Sequence, residues 1–152
     1  MKIMASSTSN EEELLSDKLE KVADEYNGDA WDEERQALLQ VLQNNDCREV
    51  IARCVDGDVL TDAFVFSAAL NHPDILRAFL DQGISVDGKN QYCNTALIAS
   101  NDGSREIVKL LLDHNADIHL RNNDGKTALD LAQTEEIKEM IQNHVNTSYV
   151  LK

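Results

Sequence analysis

Four sets of side chains in this sequence are of types that can do chemistry. Asp124-Gly125-Lys126-Thr127 contains the Gly-Lys-Thr end of a phosphate-binding loop. Such a loop needs a second glycine five residues earlier, so that backbone N–H groups can surround the phosphates. Leu120 stands there, and nucleotide binding is rejected. The histidines His72, His114, His119 and His144 are candidates for metal or acid–base work. None falls in a His-Glu-x-x-His spacing, and a structural or exposed role is the simpler reading. Cys47 and Cys54 are seven residues apart on one expected helix and so share a face. Zinc favours spacings of two to four, so they read as core thiols. Adjacent acids such as Glu135-Glu136 have no facing partner in the sequence and suit the first turn of a helix. No Ser-His-Asp or Cys-His arrangement can be inferred. The expectation is a protein that is not an enzyme and holds neither cofactor nor metal.

Charge and composition narrow the partners. The 152 residues carry a formal charge of −14. Residues 1–34 hold eleven acids against three bases, and residues 35–152 hold seventeen against eleven. Nucleic-acid and anionic-membrane surfaces both require Lys/Arg-rich faces, so neither is an expected partner, whereas a basic protein is permitted. Three Phe, three Tyr and one Trp leave the core to Leu, Ile, Val and Ala, which suits packed helices. The odd count of cysteines, with no visible signal peptide and no apolar run of about 18–20 residues, points to a reduced, cytoplasmic setting. A nuclear location or signal-independent secretion stays open.

The elements that must carry these residues follow from apolar spacing. Residues 1–10 are small and polar and are expected to be disordered. Leu14, Leu15, Leu19, Val22, Ala23 and Tyr26 recur at helical spacing over 11–28, with Asn10 as cap and Gly28 as stop. This helix is expected to cover the exposed flank of the first helix pair. Asp29 to Gln43 reads as a second helix with Trp31, Leu38, Leu39 and Leu42 on its stripe. Cys47 to Val55 reads as a third, folded back on the second as a helical hairpin. A further pair runs over Ala63–Leu70 and onward from Pro73, whose missing N–H costs nothing at a first helical position. Gly83 ends it, and Ile84-Ser85-Val86-Asp87 reads as extended chain. A last pair begins near Thr127, and residues 147–152 form a short tail.

A single period ties the second half together. Thr95-Ala96-Leu97 returns as Thr127-Ala128-Leu129. Counting forward by the same interval turns Asp74-Ile75-Leu76-Arg77-Ala78-Phe79-Leu80-Asp81 into Glu106-Ile107-Val108-Lys109-Leu110-Leu111-Leu112-Asp113, and Ile84-Ser85-Val86 into Ala116-Asp117-Ile118. A unit of this size cannot bury its own apolar face and must stack on a neighbour like itself.

The units resemble ankyrin repeats. The family's pattern of Thr-Pro-Leu, then Gly-His-x-Glu-Val-Val-x-Leu-Leu-Leu, then Gly-Ala-Asp-Val-Asn is carried by Thr95-Ala96-Leu97, Gly103, Glu106-Ile107-Val108, Leu110-Leu111-Leu112, Ala116-Asp117-Ile118 and Asp124-Gly125-Lys126-Thr127. The match covers 57–141, thins over 30–56 and is absent before 30. Ala96 and Ala128 replace the usual proline, Cys93 a turn glycine, and Asn115 the glycine after the second helix; Asn tolerates the left-handed conformation needed there. His119 replaces the family's hairpin Asn, a position hydroxylated in some ankyrin proteins, and Asp87 is its equivalent one repeat earlier.

The resemblance implies an all-α ankyrin-repeat solenoid over 29–146, with about three to four helix-turn-helix repeats, short hairpin fingers and the extra N-terminal helix. It further implies a monomeric, non-catalytic module that binds a protein through its finger tips and concave face. Carried over position by position, that surface comprises Lys89, Gln91, Tyr92 and Asn94 on one finger. Arg121, Asn123, Asp124 and Lys126 lie on the next, with Asn101 and Asp102 at the helix end between. Lys89, Arg121 and Lys126 make the fingers locally mixed or basic in an acidic chain. The alternative is a regulatory or effector subunit whose acidic N-terminal helix engages a basic partner; an effector delivered into a host cell fits the same sequence.

Overall fold

The protein is described by a computed structural model over residues 15–26, 32–100 and 105–150, with the side chains of 15–26, 32–100 and 105–144. The expected cap Asn10, the stop Gly28 and Trp31 lie outside the described residues. So do Asn101 and Asp102.

The described helices are α1 (15–25), α2 (Asp32–Asn44), α3 (Arg48–Ala52), α4 (Val59–Ala69), α5 (Pro73–Asp81), α6 (Ala96–Ala99), α7 (Arg105–Asp113), α8 (Ala128–Leu131) and α9 (Glu135–Val150). No strand occurs among the described residues, and no described helix is long and apolar enough to cross a membrane. The last helix runs on through 147–150, which the spacing assigns to a tail.

The helices form two layers. First helices pack on first helices, α4 on α6 and α6 on α8; second helices pack on second helices, α5 on α7 and α7 on α9. Within units α4 meets α5, α6 meets α7, and α8 meets α9. The core is one continuous cluster running from Leu19, Ala23 and Tyr26 to Ile137 and Ile141. At its centre the rings of Phe64 and Phe79 meet edge to face, 6.1 Å apart, a geometry their quadrupoles favour. Helix α4 is buried on several sides because it has neighbours on several sides: Leu60, Ala63, Phe64, Val65, Ser67 and Ala68 are all inside. Ser67 and Ser100 bond back to the carbonyls of Phe64 and Leu97, at 2.6 and 2.7 Å, so these small residues satisfy their own hydroxyls within the packed interior.

Helix ends follow local chemistry. Thr95 Oγ1 accepts from the Ile98 N–H. Thr127 and Asp130 form a reciprocal capping box. Pro73 opens α5. Gly83 ends it at φ +86°, and Asn115, its counterpart in the next repeat, ends α7 at φ +62°.

Four expectations are corrected. The hairpin of α2 with α3 does not form: α2 packs against α5, in the layer of second helices. Gln82 holds it there, donating to the carbonyls of Leu42 and Asn45 at the end of α2 and accepting from the Cys47 N–H. Those are carbonyls and an N–H that helix ends leave unpaired. Accordingly α3 is a five-residue turn of helix rather than the expected span from Cys47 to Val55, and both cysteines flank it. The first helix of the next pair starts at Val59, four residues before the expected Ala63. Ile84 to Asp87 is not extended; a turn closes from the Gly88 N–H to the Ser85 carbonyl. Ser16 and Glu20 of α1 line a cleft together with Val50, Cys54, Val59 and Leu60, and Leu19, Ala23 and Tyr26 enter the core.

Candidate functional site

Two fingers project between the helix pairs, and each is built around one asparagine. The Asn90 N–H donates to the Asn94 carbonyl at 3.0 Å, and the Cys93 N–H donates back to the Asn90 carbonyl. Asn90 Oδ1 accepts from the N–H groups of Tyr92 and Asn94, at 2.9 and 3.0 Å. In the next repeat Asn122 makes the same four bonds. Its N–H donates to the Lys126 carbonyl, its carbonyl accepts from Gly125, and its Oδ1 accepts from Asp124 and Lys126. The tip needs a left-handed residue, supplied by Cys93 at φ +61° and Gly125 at φ +72°.

Carboxylates of the preceding unit anchor each finger. Asp56 Oδ1 accepts from the Lys89 N–H, Asp62 Oδ1 from Gln91 and Asp87 Oδ1 from Asp117, all within 2.8–2.9 Å. Asn123 Nδ2 reaches the Tyr92 carbonyl at 3.4 Å. Burial pushes the Asp62 carboxyl above the usual range, opposed by the Gln91 hydrogen bond. Asp87 thus has a structural task, while His119 is exposed and its N–H donates to Asp117.

The expected site residues divide accordingly. Gln91, Tyr92, Asn123, Asp124 and Lys126 are exposed on the tips; Lys89 and Asn94 are half-buried at their bases. Arg121 is exposed but donates to the Gly125 carbonyl at 2.7 Å, across its own finger. Tyr92 is 58% exposed, one of few large apolar side chains so open to water. It stands at the edge of a groove of about 420 Å³ that also holds Asn90, Asn94 and Asn122 from the fingers and Phe66, Ala69, Ala99 and Leu131 from α4, α6 and α8.

Asn90 and Asn122, and the open faces of Phe66, Ala69, Ala99 and Leu131, are the parts that sequence reasoning does not single out. A signal exists for the asparagines, which recur with the repeat.

The side chains with reactive potential are occupied otherwise. Tyr26, fully buried, bonds His72 Nδ1 at 2.6 Å, and Arg35 pairs with Asp74 beside them at 3.2 Å. His114 Nδ1 bonds the Leu110 carbonyl at 2.9 Å. Burial, with Asp46 adding, raises the Cys47 thiol. Cys54 is pushed up to about 11 by burial, then by Asp58 and Glu20, so both are thiols at neutral pH. Among the described residues no three His, Cys, Asp or Glu side chains converge as a metal site.

Comparison with known proteins places this architecture. A family model described as ankyrin repeats (3 copies) matches residues 64–146. A curated ankyrin repeat-containing protein of Schizosaccharomyces pombe is 29% identical over 80 residues, which are 52% of this chain and 39% of that protein. Among solved structures, the human ASB11 ankyrin repeat domain superposes with a TM-score of 0.57 at 22% identity, covering 86% of this chain and 52% of the other. The ankyrin repeat domain of Bcl-3, a member of the IkappaB family, superposes with a TM-score of 0.53 at 22% identity, covering 69% and 50%. The chain therefore spans about two fifths of the curated relative and about half of each solved domain.

Proposed function

The chain belongs to the ankyrin-repeat family, and from that premise we propose that it is a non-catalytic module that binds a protein partner through its fingers and the groove beneath them. The observation that carries this reading is Tyr92. A tyrosine more than half exposed, on a finger pinned by four hydrogen bonds and beside an open groove, is pre-organised for contact. Tyrosine and arginine are enriched among residues that dominate interfaces. Tyr92, with Gln91 and Asn94, forms one side of the surface, and Arg121, Asn123, Asp124 and Lys126 form the other.

The test is capture of partners on the immobilised wild-type chain and on a Tyr92→Ala/Arg121→Ala double variant. Loss of the captured protein by the double variant, at unchanged thermal stability, supports the reading; equal capture by both would sink it.

A second reading is favoured by the charge on α1 and α2. Asp17, Glu20, Asp24, Glu25, Asp32 and Glu33 are exposed there, with Lys18 and Lys21 the exposed bases among the described residues of this stretch. A basic partner docking on this face would be released steeply by salt. Leu19, Ala23 and Tyr26 are core residues, so the face is better tested by Asp17→Lys, Glu20→Lys and Asp24→Lys together than by truncation.

A further inference from the structure

An aspartate followed by glycine can close on itself. The glycine amide nitrogen attacks the aspartate Cγ, and the carboxyl hydroxyl leaves with the amide proton as water. The product is a five-membered succinimide. A second water opens the ring at either carbonyl, returning aspartate or leaving isoaspartate, in which the backbone runs through the β-carbon. Glycine favours the step because no side chain hinders the approach and its dihedrals are free. Among the described residues the pair occurs at Asp56-Gly57, Asp87-Gly88 and Asp124-Gly125. What separates the three is how the fold holds the carboxyl and the amide.

At the first two, a neighbouring unit holds the carboxyl. Asp56 Oδ1 accepts from the Lys89 N–H at 2.9 Å, and the Gly57 N–H donates to the Lys89 carbonyl at 2.9 Å. Both reacting groups are thus turned onto one residue of the next unit and away from each other. Asp87 Oδ1 accepts from the Asp117 N–H at 2.8 Å, again across a unit boundary, and the Gly88 N–H closes a turn on the Ser85 carbonyl. Gly88 is also buried, with Thr61 Cγ2 3.0 Å from where a Cβ would stand. Freeing either carboxyl for ring closure breaks a contact between stacked units, on which the stability of such an array depends.

Asp124-Gly125 is held differently. Both residues are exposed at the tip of the second finger, and the Asp124 carboxylate accepts no hydrogen bond from the described residues. The Gly125 N–H is engaged by the Asn122 carbonyl of the same turn, and the space beside its Cα is open. Opening this one turn frees the amide without disturbing the stack, and exposed turns open at low free energy.

We propose that Asp124 is a site of isoaspartate formation in the folded protein, and that contacts between units keep Asp56 and Asp87 from the same reaction. The change inserts a methylene into the finger backbone. It falls inside the turn that Asn122 closes on Lys126, so it reshapes the tip whatever that tip binds.

The test is to age the full chain for several weeks at pH 7.4 and 37 °C, with a parallel sample in guanidinium chloride above the unfolding midpoint. Trypsin places the three pairs on separate peptides, 54–77, 78–89 and 122–126. Asn27-Gly28 and Asp102-Gly103, outside the described residues, fall on other peptides and do not enter the comparison. Isoaspartate is located by electron-transfer fragmentation and by methyl transfer from S-adenosylmethionine with an isoaspartyl methyltransferase. In the native chain it is expected to build up on 122–126 about tenfold or more faster than on either other peptide. In denaturant the three rates are expected to converge. Asp124→Glu, whose longer side chain cannot close the five-membered ring, is expected to abolish the signal on 122–126. Equal native rates at the three pairs would overturn the proposal, as would an unmodified Asp124 in a native chain whose unfolded form reacts at all three. An order that persists in denaturant would place the cause in the flanking sequence and overturn it as well.

Discussion

Replacing Tyr26 with Phe tests how the N-terminal helix is held. The Tyr26 ring is fully buried at the end of α1, and its hydroxyl meets His72 Nδ1, at the start of α5, at 2.6 Å. Burial, with Asp74 adding and Arg35 opposing, pushes the phenol well above its usual range. The hydroxyl is therefore the donor, and the neutral imidazole carries its proton on Nε2. Phenylalanine keeps the packing and removes one oxygen. The lost bond is worth about 0.5–1.5 kcal/mol, and an acceptor left unpaired costs about 1–3 kcal/mol when buried. His72 is half-buried, so water can reach it and the smaller penalty applies. The substitution is therefore expected to cost about 1–3 kcal/mol, towards the lower end. It is read as a shift in the urea midpoint by far-ultraviolet circular dichroism at pH 7.5. The same contact sets a pH dependence. His72 is lowered from 6.5 by burial first, then by Arg35, against Asp74 and Asp32. A lowered base favours the folded state when neutral. Its stabilisation is present above 6.5 and lost as pH falls from there through the folded-state value. Wild-type protein should lose stability between pH 7.5 and 5.5, and His72→Gln, which retains an acceptor, should flatten that loss. A Tyr26→Phe change below about 0.3 kcal/mol, or equal pH dependence in His72→Gln, would refute the reasoning.

Leu111 is fully buried in α7, and Leu111→Ala should cost about 2–5 kcal/mol in urea melts. Thr95→Ala removes an N-cap acceptor that is itself buried and should cost about 0.5–2 kcal/mol, with Thr95→Ser recovering most of it. Alkylation of Cys54 by iodoacetamide, followed by mass spectrometry, should be slow at pH 7.5 and rise about tenfold per pH unit until near its pKa of about 11.

Much of the stack was legible because its signals are local. Thr95 and Thr127 cap helices with their own side chains, and Asn115 takes the left-handed turn by its intrinsic tolerance. Leu111 shows its burial by spacing alone. What was illegible depends on contacts between units. The apolar pattern of Val50, Ile51 and Cys54 suits a longer helix than α3. It is Gln82, far along the chain from Cys47, that helps fix where this segment lies. The fingers' tip residues could be placed by counting, but the floor of the groove could not. Phe66, Ala69, Ala99 and Leu131 read as ordinary helical residues, and only the packing of α4, α6 and α8 decides which of their faces stays open. Asn90 and Asn122 look like generic turn residues, since their role lies in which N–H groups they accept.

The carboxylates of Asp56, Asp62 and Asp87 bear on how this architecture can be rearranged. Each accepts from the unit after its own, and the Gly57 N–H in turn donates to the Lys89 carbonyl, so neighbouring units complete each other's turns. A unit grafted into a foreign array leaves behind the carboxylate that its predecessor supplies. Transplanted alone, residues 95–126 would bring a complete turn around Asn122 and leave the Asp117 N–H without its Asp87. A viable transplant therefore includes the host residue that stands in Asp87's place, and the boundary for recombining such arrays lies before the carboxylate, not at the start of the repeat.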